Sequence, residues 1–337
     1  MITYEEALRL LLAGALPLPA RHVPLAEASG GVAAADVCSR LSVPGFANAA
    51  MDGYALRAAG TRDATPEAPV MFDVCGLIPA GSAPLAARPG DDAAGRAFEI
   101  LTGAPMPAMA DAVVPLERVT RFDAEAHGLP RIRVSGPVEE GRNVRKAGED
   151  FVEGQAVIRT GTRLLPHHLM ALAACGIDSV DVRARPRVAV LTTGSELATR
   201  GSDLAAGQIR DANGPYLRAL LPLLGATLAG DCSATDDRRD LRDRLRELAS
   251  GADVVLTTGG VSAGRLDLLP EAVRSLGGQI VFHKVAIRPG KPVLHARLPG
   301  GALLFGLPGN PLAVAVGMRF FVIPVLRALQ GLPREES

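Results

Sequence analysis

Downstream of Arg185-Pro186 the sequence alternates short β-type apolar runs with longer amphipathic stretches, and no other feature restricts the fold as strongly. Strand-like runs at Val188–Leu191, Val254–Leu256, Ile280–Val285 and Leu303–Phe305 are separated by helical stretches at Pro215–Leu224, Asp237–Ala249 and Pro311–Leu329. A helix between two strands carries the chain back to the same sheet edge, so the pattern predicts an α/β domain with a mainly parallel sheet. Within Asp237–Ala249, Leu241, Leu245 and Leu248 recur at helical spacing and form the buried stripe, while the Arg/Asp alternation around them is a solvated face. The apolar stretch Leu312–Leu329 is interrupted by Arg319, Pro324 and Arg327, which predicts a buried terminal helix and not a membrane span.

Upstream the text is different. Thr3 followed by Glu6 is a capping-box pattern, and Ala7, Leu8, Leu11 and Leu12 then supply an apolar helical face. A weaker helical stretch, interrupted by Gly30-Gly31, is expected near Leu25–Val37, before a Pro44-Gly45 turn. From Met51 to about Val134, short runs such as Val70–Cys75, Ala112–Pro115 and Ile132–Val134 lie between Gly- and Pro-rich segments, which predicts a β-rich unit with long loops. Ala83–Arg96 reads as a surface excursion, Pro166–Ala174 as helix and Ser179–Arg183 as extended chain. With 337 residues, two or three compact units are expected.

Lys+Arg and Asp+Glu balance at 36 each, so no global field draws in nucleic acid or an anionic membrane; neither is expected as a partner. Cys38, Cys75, Cys175 and Cys232 are isolated in apolar or small-residue surroundings and are expected as reduced, buried thiols. His167 and His168 are neighbours, which on a helix point in different directions, so a His/Cys metal site is not expected. The N-terminus has no basic stretch followed by an apolar run, and the chain reads as cytoplasmic.

Three of the strand-like runs end in glycine-rich loops: Thr192-Thr193-Gly194-Ser195-Glu196, Thr257-Thr258-Gly259-Gly260-Val261-Ser262-Ala263-Gly264 and Gly306-Leu307-Pro308-Gly309-Asn310-Pro311. Ligands of open α/β sheets bind beyond the carboxyl ends of strands, where backbone N–H groups and helix N-termini suit phosphate or another oxyanion. Lys284, Arg288 and Lys291 fall within eight residues around Pro289-Gly290, a fixed cationic cluster for such an anion. Glu196, Asp211, Asp236 and Asp267 recur beside the same loops. Carboxylates near phosphate repel it unless a divalent cation lies between, so Mg²⁺ is expected.

Several segments resemble one family. Pro44-Gly45-Phe46-Ala47-Asn48-Ala49-Ala50-Met51-Asp52-Gly53-Tyr54-Ala55, Thr102-Gly103-Ala104-Pro105-Met106-Pro107 with Ala110–Pro115, and Asn143-Val144-Arg145 with Gly148-Glu149-Asp150 are similar to segments of the molybdopterin molybdenumtransferases and the gephyrin E domain. The Thr-Gly-Ser-Glu-Leu, Gly-Gly-Val-Ser-x-Gly, Arg-Pro-Gly-Lys-Pro and Gly-Leu-Pro-Gly-Asn-Pro elements follow in the family's order. The likeness spans almost the whole chain, and the ordered set of motifs is far more specific than any one of them.

The resemblance implies a multi-domain α/β protein and a homodimer. Residues 1–26 with 47–56 and 140–184 would form a helical/extended N-terminal domain, interrupted by a β-rich domain of 27–46 with 57–139. Residues 185–330 would be a three-layer α/β domain binding molybdopterin. The reaction implied is Mg²⁺-dependent insertion of molybdate into adenylated molybdopterin, with release of AMP, and a partner protein could deliver the adenylated pterin. Asp52, Thr102, Asp150, Glu196 and Asp236 would be catalytic, and Glu196, Asp236 and Asp267 would hold the metal. Thr193, Gly194, Ser195, Gly259, Gly260, Ser262, Lys284, Arg288, Pro289, Lys291, Pro308 and Asn310 would bind substrate. The sequence departs from the family at Ala47, Ala49, Arg265 and Ala313, and the small β-domain that usually follows the terminal helix is not in it. A non-catalytic carrier or scaffold that binds molybdopterin or a nucleotide is the alternative reading.

Overall fold

The computed structural model describes residues 1–86, 95–123, 128–198, 203–260 and 268–335. The chain divides into two units: Met1–Val37 with Ile158–Leu169 and Asp178–Ser337, and Cys38–Val157 with Met170–Ile177.

The first unit is built on a six-stranded sheet in the order Thr227–Ala234, Arg187–Thr193, Val254–Thr258, Leu303–Leu307, Leu294–Arg297, Gln279–His283. The first four strands are mutually parallel and the last two turn back as a hairpin, so the parallel core closes on an antiparallel edge. Alternate residues of one strand enter opposite cores: Val188 and Val190 pack with Leu217, Phe305 and Phe321, and Ala189 and Leu191 with Leu241, Leu245 and Val273. Both faces are thus covered by helices, which is why the central strands read as continuous apolar runs. Thr227–Ala234 and Leu294–Arg297 escaped the sequence reading. The first buries only Ala234 and carries Gly230 and Asp231 within it, and the second interposes His295 and ends in Arg297.

Thr3 caps the helix Tyr4–Ala13, its Oγ1 accepting from the Glu6 N–H at 3.2 Å, and the helix buries Ala7 and Leu11. The helix expected near Leu25–Val37 is not formed. Only a 3-10 turn at Leu25–Glu27 exists, followed by extended chain in which Val32 bridges Arg163 and Ala33 bridges Val182. Gly30, at φ +73°, stops the turn, and Val32 suits extended backbone better than helix. Ser179–Arg183 is a strand, paired antiparallel with Ala20–Pro24, and Pro166–Ala174 is helical.

The terminal helix runs from Pro311 to Leu329, with a π-helical turn at Met318–Val322. Pro324 lacks an N–H to continue the helical ladder, and the wider turn before it accommodates that gap. By length and composition this helix could cross a membrane, yet Val314, Met318, Phe321, Val322, Val325 and Leu326 are buried in the core of the unit.

The second unit holds a six-stranded sheet ordered Ala112–Pro115, Gly53–Leu56, Arg96–Ile100, Val70–Ile78, Arg131–Val134, Val119–Phe122. Tyr54, Leu56, Phe72, Val74, Ile132 and Val134 pack on one face. Residues 87–94 of the anticipated surface excursion lie outside the described residues.

Two expectations need correction. Only Cys175 is buried; Cys38, on a two-residue strand, is exposed, Cys232, on an edge strand, is partly so, and Cys75 is partly exposed on an interior strand at a position its sheet leaves half-covered. His167 and His168 do not diverge: their Nε2 atoms stand 3.1 Å apart, the Leu165 N–H reaching His168 Nδ1 at 3.1 Å and holding that ring back over the helix start. Among the described residues, no group of three His, Cys, Asp or Glu could hold a metal ion.

Candidate functional site

Strand register brings most of the anticipated residues of the α/β unit to one place. Leu191, Thr257, Gly306, Leu294 and His283 are successive partners across the sheet. Gln279–His283, antiparallel to an antiparallel neighbour, points the same way as the four parallel strands. Thr193–Glu196, Thr258–Gly260, Leu307–Asn310 and the turn from Lys284 to Pro292 therefore leave the sheet at the same edge. Thr193 pairs with Ala234, which places Asp236 there as well.

Hydrogen bonds tie these loops together. Thr193 Oγ1 donates to Thr258 O at 3.1 Å, the Gly259 N–H to Leu307 O at 3.0 Å, and the Ser195 N–H to Asp236 Oδ2 at 2.9 Å. Gly259 has φ +90°, and a side-chain carbon there would collide with Thr193 O, so glycine is required. Gly260 follows at φ +64°. Pro308 is buried, and Asn310 opens the terminal helix by accepting from the N–H groups of Leu312 and Ala313 at 2.9 and 3.3 Å. That helix start carries partial positive charge suited to an anion. The Glu196 carboxylate folds over Gly194, both of its oxygens standing 2.7 Å from where a side-chain carbon on Gly194 would be.

The cationic turn is fixed by its backbone. The Lys284 N–H donates to Val293 O at 2.9 Å and the Val285 N–H to Lys291 O at 3.0 Å. A side-chain carbon at Gly290 would be 3.7 Å from Val316 and 3.9 Å from Ala313 O, so the turn rests on the beginning of the terminal helix. Arg288, Pro289 and Lys291 are exposed and Lys284 is half-buried. Among the described residues no carboxylate pairs with the three cations, which leaves their charge for a ligand.

Asp211 turns out to be a cap: its Oδ1 accepts from the Gly214 N–H at 2.9 Å. Asn213 went unnoticed in the sequence. Its Nδ2 donates to Gly309 O at 2.8 Å, steadying the last loop, and the Asp211-Ala212-Asn213-Gly214-Pro215 turn cluster was the signal for it. Ser262 and Asp267 lie outside the described residues.

Asp52, Thr102 and Asp150 belong to the other unit. Thr102 donates to Asp52 Oδ1 from both its N–H and its hydroxyl, each at 2.7 Å, and these two bonds hold the Asp52 carboxyl below the usual carboxylate range. The chain before Asp52 is pinned on two sides, the Gly103 N–H reaching Ala49 O at 2.8 Å and Val144–Arg145 pairing with Asn48–Ala49. Arg145 Nη2 donates to both oxygens of Asp150 at 2.6 Å. Three segments distant in sequence thus converge around Asp52.

Two cavities among the described residues lie away from the strand-end loops. One of about 630 Å³ lies between Tyr4, Leu8, Leu12, Phe320 and Pro324. Another of about 410 Å³ is lined by Met51, Val113, Arg118, Glu139 and Arg142. The bonding among the strand-end loops, and cations that no carboxylate pairs with among the described residues, mark this edge as the better candidate.

Comparison with known proteins accords with this geometry. Residues 2–176 match the MoeA N-terminal region (domain I and II), and residues 189–328 match a probable molybdopterin binding domain. A molybdopterin molybdenumtransferase of Synechococcus elongatus is 37% identical, over 98% of this chain and 81% of its own length. Molybdopterin molybdenumtransferase 2 of Mycobacterium tuberculosis is 39% identical, over 92% and 75%. The crystal structure of a molybdopterin biosynthesis MoeA protein from Pyrococcus horikoshii superposes with a TM-score of 0.81 at 33% identity, covering 98% of this chain and 80% of that one. On fold, motifs and sequence identity, the chain belongs to the molybdopterin molybdenumtransferase family of molybdenum cofactor biosynthesis.

Proposed function

We propose that the chain inserts molybdate into adenylated molybdopterin and releases AMP, using the strand-end edge of the α/β unit to hold the substrates. The observation that supports this most is the shared register: three glycine loops, a helix start and three carboxylate-free cations leave the sheet together. Thr193, Gly194, Ser195, Gly259, Gly260, Ser262, Pro308 and Asn310 would cradle the pterin nucleotide, and Lys284, Arg288, Pro289 and Lys291 would meet its phosphate and the molybdate dianion. The dithiolene sulfurs of the substrate would bond to molybdenum while their two protons leave with one molybdate oxygen as water, and water would open the phosphoanhydride as AMP departs, so no protein nucleophile is required. The work left to the protein is positioning and charge compensation.

Asp236 commits one oxygen to the Ser195 N–H and keeps the other available. With Glu196, and with Asp267, it would hold Mg²⁺, whose remaining ligands would be phosphate oxygens and water, a hard-oxygen set that suits this ion. Bound there, the ion would neutralise charge on the phosphates being separated. Asp52, Thr102 and Asp150 are assigned catalytic roles in the same reaction. Residues 1–26, 47–56 and 140–184 are assigned to one domain and 27–46 with 57–139 to another. A homodimer in the cytoplasm, with a partner supplying adenylated pterin, completes the reading.

The test is AMP release from adenylated molybdopterin by the wild-type chain, with and without molybdate and Mg²⁺. Release that requires Mg²⁺ and is stimulated by molybdate is expected. Tight pterin binding with no release under any condition would make the chain a carrier, and release indifferent to molybdate would make it a hydrolase.

A further inference from the structure

At the other end of the sheet, four arginines gather around two turns. Arg163 Nη1 donates to Gly30 O at 3.1 Å and its Nη2 to Gln330 Oε1 at 3.0 Å. Arg185 Nη2 donates to the neighbouring Ser29 O at 3.2 Å. Arg183 Nη1 donates to Leu18 O at 3.2 Å, and a side-chain carbon on Gly331 would stand 3.4 Å from Arg183 Nε. Arg327, one helical turn before Gln330, donates from Nη2 to Pro333 O at 2.9 Å. The Ser29–Gly30 and Gln330–Gly331 turns therefore draw all four guanidinium groups to one place. Arg185 lies just before the strand Arg187–Thr193, at the edge where the parallel strands begin, so this cluster and the strand-end loops occupy opposite ends of the sheet.

Their partners are almost all neutral. Among the described residues, no carboxylate pairs with Arg163, Arg183 or Arg185. Glu335 reaches Arg327 at 3.5 Å but is shared with Arg319 at 2.8 Å. Arg327 Nε is buried and has no hydrogen-bond acceptor among the described residues. Burial holds the Arg163 guanidinium below its usual pKa, and the charges of Arg327 and Arg185 push it the same way. Carbonyl oxygens satisfy N–H groups without cancelling charge, and neutral donors could tie the same turns without this repulsion. An anion between the guanidinium groups removes the conflict.

We propose that Arg163, Arg183, Arg185 and Arg327 form a second anion site, for a tetrahedral dianion of the phosphate or molybdate type. Planar guanidinium forks present paired donors to the several oxygens of such an ion. Arg185 is exposed, which leaves a way in, while the other three are half-buried.

Thermal unfolding of the full chain tests the site, with inorganic phosphate or molybdate titrated against potassium chloride at equal ionic strength. The variant Arg288→Gln/Lys291→Gln removes cations of the strand-end edge and serves as the background. A saturable rise in Tm is expected in wild type and background alike. In Arg183→Gln/Arg185→Gln its midpoint should shift at least tenfold to higher anion. Arg185→Gln alone, exposed and with one carbonyl contact, should fold normally by circular dichroism and still weaken binding at least threefold. The anion with the lower midpoint is the preferred occupant. The proposal is overturned by a rise unchanged in both arginine variants, by a rise that vanishes in the background, or by none beyond that of chloride. The first reading of function can fail without touching this result.

Discussion

At the scale of single residues, the strand-end edge depends on positions whose backbone admits little else. Gly259 is the sharpest case. An alanine there would face both a left-handed backbone and a collision with Thr193 O. Gly259→Ala should therefore cost about 1–3 kcal/mol of stability, measured by urea unfolding, and lower AMP release at least tenfold. Asp52 makes a second point. Thr102→Val removes one of the two bonds that keep the carboxyl ionised, so the Asp52 pKa rises. If the reaction needs the carboxylate, the acid limb of the pH–rate profile moves to higher pH in this variant; an unmoved limb would mean that Asp52 acts in another way. Most anticipated residues were visible as motif members, because glycine loops and clustered cations leave marks in the text. Asn213 was not, since its importance lies in a bond to Gly309 across 96 positions of sequence.

At the scale of elements, hydrophobic period was a sound guide where strands are buried on both faces, and a poor one where they are not. Val254–Thr258 is wholly buried and stood out, whereas Thr227–Ala234 lies at the sheet edge with its side chains mostly in water. The missing helix near Leu25–Val37 shows the complementary error, periodicity overruled by Gly30 and by pairing with distant chain. The strand Leu294–Arg297 buries His295 between Phe282 and Phe305, with its Nδ1 donating to Leu304 O at 3.0 Å. Burial above all, helped by the charge of Arg297, lowers its pKa to about 4. The unfolded chain takes up this proton near pH 6.5 and the folded chain only near 4. His295 thus leaves stability intact above 6.5 and erodes it as pH falls toward 4, by up to about 1.4 kcal/mol per pH unit. Urea midpoints of wild type and His295→Phe between pH 7.5 and 4.5 should show the shallower dependence in the variant, whatever its stability at neutral pH. Equal slopes would mean that His295 does not contribute to the pH dependence of stability.

At the scale of the whole molecule, the charge balance offers no field to attract an anionic substrate, so recognition has to be local. The fold meets that need by topology, since the edge hairpin returns Gln279–His283 to the direction of the parallel strands and delivers Lys284, Arg288 and Lys291 beside the glycine loops. The alternation of strands and helices revealed the α/β unit, but not the hairpin that makes its edge cationic. If that edge is the reaction centre, Arg288→Gln should disable it. Arg288 is exposed and carries no structural ion pair among the described residues, so the variant should fold as wild type does. In this variant kcat/KM for molybdate-stimulated AMP release should fall at least tenfold while the circular dichroism spectrum is unchanged. A folded variant with wild-type kcat/KM would contradict it and place the chemistry elsewhere.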